Sequence, residues 1–236
     1  MSFLVLGGTS TSREFCLKTT LKNYTLTLTS NPIVKYPCEF KVSKIKNMFF
    51  DKKIIVEFKN NEKINDIDMI IDFTHPHAMN ISNLLKNIPE NLLIRYQRKP
   101  ITNGMTYFDM VHKIKENKFK KILSLLGANG SLKVIDELNK IKYFPEIIIR
   151  SIKKVEGFEH IKFDPNKIDN ELNEIIKFYK PDLIIFKDSG KEGKTDKKIK
   201  FCLKNKIPFF VIKMPLKEYG RIYYSLENIL KVVDNL

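Results

Sequence analysis

The chain has 236 residues, 43% of them hydrophobic and 11% aromatic, with nine glycines and ten prolines. That excludes extensive disorder and allows one large α/β domain or two of modest size. Lys and Arg total 42 against 27 Asp and Glu, a net charge of +15, so the expected partner is anionic: nucleic acid, an acidic membrane surface or a polycarboxylate ligand.

Trp is absent and Lys, Ile and Asn are plentiful. Part of the charge therefore reads as compositional bias, which weakens the nucleic-acid reading. Cys16, Cys38 and Cys202 are odd in number and form no C-x-x-C, so neither a disulfide framework nor a zinc knuckle is expected. Cys16 and Cys202 read as core positions of helices. No apolar run approaches the ~20 residues of a membrane span, and the opening reads as a strand rather than a signal peptide. A reducing cytoplasm, with no membrane partner, is the expectation.

Residues 3–7 read as a buried strand that runs into Gly7-Gly8-Thr9-Ser10 and then a helix over 12–22. Glycines let backbone approach an anion, and a helix N-terminus supplies free N–H groups. The pattern lacks the spaced glycines of G-x-G-x-x-G, so it equally fits a strand end that needs flexible backbone. Arg13 in the first helical turn can add a bidentate contact to phosphate or carboxylate; the alternative is a solvated helix residue.

Tyr24 to Thr29 alternates Thr with Leu and predicts a second strand. Ser30 and Asn31 follow it, where an NAD site often carries an acid for the ribose hydroxyls. No acid is there, so NADPH is permitted and NADH is not excluded. Residues 31–65 read as irregular, with short strands near 48–50 and 54–58. Residues 67–73 predict a strong buried strand ending in Asp72-Phe73-Thr74-His75-Pro76-His77-Ala78. Thr74 or His75 can cap the next helix, with Pro76 in its first turn. Two histidines one residue apart do not complete a metal-ligand set, so no protein-bound metal is expected. His75 or Thr74 reads better as a polar site contact. Ala78, Ile81, Leu85 and Ile88 then share a helical face, and Leu92 to Tyr96 predicts a strand. Arg95, Arg98 and Lys99 ahead of Pro100 can hold carboxylates, or form an exposed basic connection.

A second series follows: a helix marked by Tyr107, Val111 and Ile114, a strand over 122–126, a helix with Leu132, Ile135 and Leu138, and a strand over 147–150. After a polar stretch come a helix with Leu172, Ile175, Ile176 and Tyr179, then strands at 183–186 and 208–212 around another helix. Leu226, Ile229, Leu230 and Val233 mark the last helix. Repeated alternation predicts parallel sheets covered by helices, in two lobes, 1–102 and 103–236. Ligands of such sheets sit at the carboxyl ends of strands. The stretch Lys187-Asp188-Ser189-Gly190-Lys191-Glu192-Gly193-Lys194-Thr195 imitates a P-loop, but Asp188 stands where G-x-x-x-x-G-K-[ST] needs glycine. An NTPase is rejected, and an anion-binding loop is retained.

Taken in order, these segments resemble the precorrin-6A reductase family of cobalamin biosynthesis. The resemblance is carried by Leu6-Gly7-Gly8-Thr9 with Arg13-Glu14, by Asp72-x-Thr74-His75-Pro76-x-Ala78 with Ile81-Ser82, and by Arg95-x-x-Arg98-x-Pro100. Lys187-Asp188-Ser189-Gly190 with Lys198, Ile207-Pro208 and Pro215 completes it. The resemblance implies two Rossmann-like lobes with a ligand cleft between them. It implies nicotinamide-dependent reduction of one double bond of precorrin-6A, or of its cobalt complex, to the 6B form. A nicotinamide cofactor, NADPH or NADH, would lie on Gly7, Gly8, Thr9, Ser10, Ser30 and Thr74. His75 is the candidate catalytic residue. Arg13, Arg98, Lys187, Asp188, Ser189 and Gly190 would bind substrate carboxylates or phosphate. The implied partner is a polycarboxylate corrinoid precursor, with neighbouring pathway enzymes as further candidates. The rival readings are another Rossmann-type oxidoreductase of a small anionic metabolite and, last, a basic nucleic-acid-binding module, for which no motif is present.

Overall fold

The computed structural model describes residues 1–32, 34–163 and 168–236. The chain divides into two compact units, 1–99 with 215–236, and 100–214. The last 22 residues thus belong with the first unit, whereas the pattern of alternation had placed them in the second lobe.

The first unit is built on six parallel strands: β1 (Phe3–Leu6), β2 (Tyr24–Leu28), β3 (Lys41–Val42), β7 (Met69–Asp72), β8 (Leu93–Tyr96) and β14 (Arg221–Tyr223). They lie in the order β3-β2-β1-β7-β8-β14. Counted within this sheet, that is 3-2-1-4-5-6, the order of dinucleotide-binding sheets. The sixth strand is supplied by the returning C-terminal segment, which is why those residues leave the second unit. β1 shows the construction: Phe3 and Val5 pack on one face, Leu4 and Leu6 on the other. The first face is covered by α1 (Ser10–Lys18) and α7 (Leu226–Asp234), through Phe15, Leu226, Ile229 and Val233.

The second face is covered by α2 (Met79–Leu85) and by an antiparallel sheet of β4 (Ile45–Asp51), β5 (Lys53–Phe58) and β6 (Lys63–Ile67). Residues expected to be largely irregular are therefore ordered strands. Met48, Ile54, Val56, Phe58 and Ile67 face the core, while Lys46, Asn47, Phe49, Phe50 and Asp51 of β4 are exposed. The strand expected over 67–73 is β7, 69–72, while Ile67 closes β6.

The second unit holds β9 (Lys121–Ser124), β10 (Glu146–Ser151), β11 (Glu159–Lys162), β12 (Leu183–Lys187) and β13 (Phe209–Ile212), all parallel, in the order β11-β10-β9-β12-β13. β11 falls in the stretch read as merely polar. Helices α3 (Tyr107–Glu116) and α4 (Ala128–Lys140) cover one face, and α5 (Ile168–Tyr179) and α6 (Thr195–Lys204) the other. On α4 the buried face is Gly130, Ser131, Val134 and Leu138. Leu132, expected inside, is 45% exposed. Small residues let that helix lie close to β9, where Ser131 Oγ meets Ser124 Oγ at 2.8 Å. Among the described residues no helix is long and apolar enough to cross a membrane.

Candidate functional site

In a 3-2-1-4-5-6 sheet the topological switch point lies between the first and fourth strands, here β1 and β7. Gly7, Gly8, Thr9 and Ser10 follow β1, and Phe73, Thr74 and His75 follow β7. The two loops are joined directly, since Thr9 Oγ1 donates to the Phe73 carbonyl at 2.9 Å. A Cβ on Gly7 would come within 2.8 Å of Leu26 and 2.9 Å of Leu28, so this glycine allows close packing on β2. Gly8 has φ +101° and open space beside its α-carbon. Its conformation excludes ordinary side chains, and the space is a cradle.

Thr9 caps α1 through a reciprocal pair. Its Oγ1 accepts from the Ser12 amide at 3.2 Å, and Ser12 Oγ accepts from the Thr9 amide at 3.1 Å. The helix therefore begins at Ser10, two residues before the expected start. Tyr36, which sequence reasoning missed, closes the turn. Its hydroxyl accepts from the Gly8 amide at 2.9 Å, lies 2.7 Å from Ser12 Oγ, and donates to the Thr9 carbonyl at 3.2 Å. The Gly8 amide is thus engaged by protein. The amides of Ser10 and Thr11, at the first helical positions, have no acceptor within the helix and suit an anion. Arg13 lies over the Tyr36 ring, 6.0 Å from its centroid, and Ser30 is exposed beyond β2. Glycine turn, helix end and switch point together fit a dinucleotide phosphate.

Thr74 is held by a buried ion pair. Asp72 Oδ2 accepts from Arg95 Nη1 at 2.6 Å, with Asp72 0% and Arg95 1% exposed. Arg95 also donates to Thr74 Oγ1 at 3.1 Å, and the Thr74 amide donates to Asp72 Oδ1 at 2.8 Å. The Tyr219 hydroxyl adds a bond to Asp72 Oδ2 at 3.2 Å. Burial, with the Asp72 charge, pushes the Tyr219 phenol well above its ordinary value. The visible signal was a charge in each of two otherwise apolar strands. Buried charges require partners. His75 is half-buried, and its Nδ1 accepts from the His77 amide at 3.2 Å, which leaves the proton of the neutral ring on Nε2. Arg98 is 5% exposed, so it is not part of an exposed basic connection. No group of three or more His, Cys, Asp or Glu arranged for a metal occurs among the described residues.

The Lys187–Gly190 segment lies in the second unit, beyond β12. Asp188 is 0% exposed. Its carboxylate accepts from the amides of Ile101 at 2.7 Å, Thr102 at 2.9 Å and Gly190 at 3.0 Å. It shapes the loop from within. The Ser189 amide donates to the buried Thr195 Oγ1 at 2.9 Å, and a Cβ on Gly193 would collide with Ser189. Lys187 Nζ lies against Gly130, where an added Cβ would be 2.9 Å away. Burial lowers the Lys187 pKa, as does the charge of Lys133. Lys198, on α6, donates to the Gly193 carbonyl at 3.0 Å. Burial, then Arg150, holds its pKa at about 8, with Lys194 adding to the shift and Asp188 opposing it. Arg150, at the end of β10, pairs with Glu171. Lys187, Ser189 and Gly190 are thus brought together with Gly130 and Lys198. Gly7–Ser10, Thr74 and His75 are gathered separately in the first unit.

A family model described as Precorrin-6x reductase CbiJ/CobK matches residues 2–234. A cobalt-precorrin-6A reductase of Methanocaldococcus jannaschii is 26% identical across all of this chain and 99% of that protein. One from Priestia megaterium is 23% identical, covering 98% of each. Among solved structures, a CobK precorrin-6A reductase aligns with a TM-score of 0.71 and 14% identity, over all of this chain and 97% of that one, which supports the fold described above.

Proposed function

The chain belongs to the precorrin-6x reductase CbiJ/CobK family, and on that premise we propose that it reduces one double bond of the cobalt-precorrin-6A macrocycle with NADPH, yielding the 6B form. It is an oxidoreductase of cobalamin biosynthesis acting on a CH–CH bond of a corrinoid precursor. The names of both curated relatives favour the cobalt complex as substrate. The cobalt travels with the substrate.

The observation that carries the cofactor reading is the Gly7-Gly8-Thr9 turn at the switch point of a 3-2-1-4-5-6 sheet. When bound, the nicotinamide supplies a hydride. The first unit is the nucleotide-binding one in this reading. Ser10 and Thr11 amides hold the pyrophosphate, while Gly7, Gly8 and Thr9 shape the cradle. Ser30 lies beside the adenosine ribose, and the lack of an acid after β2 spares a 2′-phosphate from repulsion. Thr74, oriented by Arg95, borders the nicotinamide.

His75 presents Nε2–H as a donor and is the candidate to place a proton next to the reduced carbon. Arg13, Arg98, Lys187, Ser189 and Gly190 take the acetate and propionate carboxylates of the macrocycle, and Asp188 fixes the loop that carries three of them. The excess of basic residues favours approach of such a substrate. Free thiols at Cys16, Cys38 and Cys202 suit a cytoplasmic enzyme. Fluorescence titration of the purified protein with NADPH tests the cofactor assignment. Saturable binding, weakened by Gly8→Val, is expected, and absence of binding contradicts it.

A further inference from the structure

Lys217 lies in the segment that carries the chain back into the first unit, two residues before Tyr219. It is 5% exposed, and its amide donates to Gln97 Oε1 at 2.8 Å, which pins it beside the end of β8. Its ammonium can donate three hydrogen bonds. Among the described residues it reaches one acceptor, the Met79 sulfur at 3.2 Å, and a thioether is a weak one. The carboxylate whose charge acts on it is Asp72, which is already engaged by Arg95, Tyr219 and the Thr74 amide. Arg95 and Lys86 add further positive charge. Burial, then Arg95, keeps Lys217 below the ordinary lysine value, with Asp72 opposing the shift.

An ammonium withdrawn from water needs a counter-charge, and among the described residues the carboxylate that acts on it, Asp72, is already engaged by Arg95, Tyr219 and the Thr74 amide. The position adjoins the switch point, because the same Asp72–Arg95 pair orients Thr74. We propose that the Lys217 ammonium, with Met79 and Arg95 beside it, anchors an oxyanion site at the carboxyl ends of β7 and β8, taking a carboxylate or phosphate oxygen of a bound ligand. This rests on the functional reading above, which offers two sources of such an oxygen: a macrocycle side chain and a dinucleotide phosphate.

Lys217→Met and Lys217→Gln test it, with Lys217→Arg as the conservative control. Three quantities are measured: the melting temperature without ligand, the affinity for NADP⁺ by calorimetry, and the affinity for precorrin-6A by anaerobic spectral titration without reductant. The expected result is a loss of about tenfold or more in affinity for one ligand, partly restored by Lys217→Arg, with an unchanged or higher ligand-free melting temperature. Loss for NADP⁺ assigns the site to phosphate, and loss for the macrocycle assigns it to carboxylate. Affinities within about twofold of wild type for both ligands overturn the proposal. A binding loss matched by a lower ligand-free melting temperature in both variants also overturns it, since Lys217 is then a structural residue. Wild-type protein that binds neither ligand contradicts the functional reading instead. Stabilisation by inorganic phosphate or citrate, wild type against Lys217→Met, then decides the oxyanion site: lost in the variant it stands, and equal in both it falls.

Discussion

Asp72 and Arg95, on neighbouring parallel strands and both closed off from water, meet at 2.6 Å directly beneath Thr74. The pair fixes a site residue from inside the sheet. Breaking it strands a buried charge. Arg95→Met should cost about 3–5 kcal/mol in urea denaturation. The double variant Asp72→Leu with Arg95→Met should lose less than the single, because neither member of the pair is left behind as a charge without the other. A single variant as stable as wild type would contradict this.

Tyr36 joins the loop after β2 to the glycine turn after β1. Tyr36→Phe keeps the ring and removes the acceptor of the Gly8 amide. It should cost about 1–2 kcal/mol and weaken NADPH binding. Unchanged affinity in titration would separate the tyrosine from the cofactor turn.

Asp188 holds three backbone amides and no solvent face. Asp188→Ala should destabilise the protein by at least about 3 kcal/mol, because charge-assisted bonds to buried donors are lost together. A variant that melts like wild type but shows only a raised KM would instead make Asp188 a direct ligand contact.

Lys198 gives a pH signature. Its pKa is about 8 in the folded protein against 10.5 for an ordinary lysine. Between those values the unfolded chain binds more protons, so stability rises with pH through this window and is lost as pH falls through 8. The rise should be at most about 3 kcal/mol. Lys198→Met should abolish it in denaturation curves at pH 7.5 to 10.5, with about the same stability throughout. A slope that persists in the variant would assign it to other groups.

The parallel strands were legible because they are short apolar runs bounded by glycine, proline or polar residues. The β4–β6 sheet was not, since adjacent apolar pairs such as Phe49-Phe50 and Ile54-Ile55, only partly turned to the core, blur the alternation. β14 is three half-buried residues, too short for any periodicity, and missing it moved the boundary between the units. The glycine turn and Thr74 could be read from spacing. Tyr36 and Lys217 could not, because each sits in an irregular segment and owes its place to tertiary contacts. Asp188 was legible in kind but not in role, because burial decides whether an acid meets a ligand or its own backbone.

The reaction proposed for this chain is reduction of the macrocycle at the expense of a reduced nicotinamide. Anaerobic turnover of purified protein with precorrin-6A, with and without cobalt, and with NADPH or NADH, tests it most directly. Loss of nicotinamide absorbance coupled one-for-one to the change in the macrocycle spectrum is expected, fastest with the cobalt complex and NADPH. Folded protein that turns over none of the four combinations would contradict it.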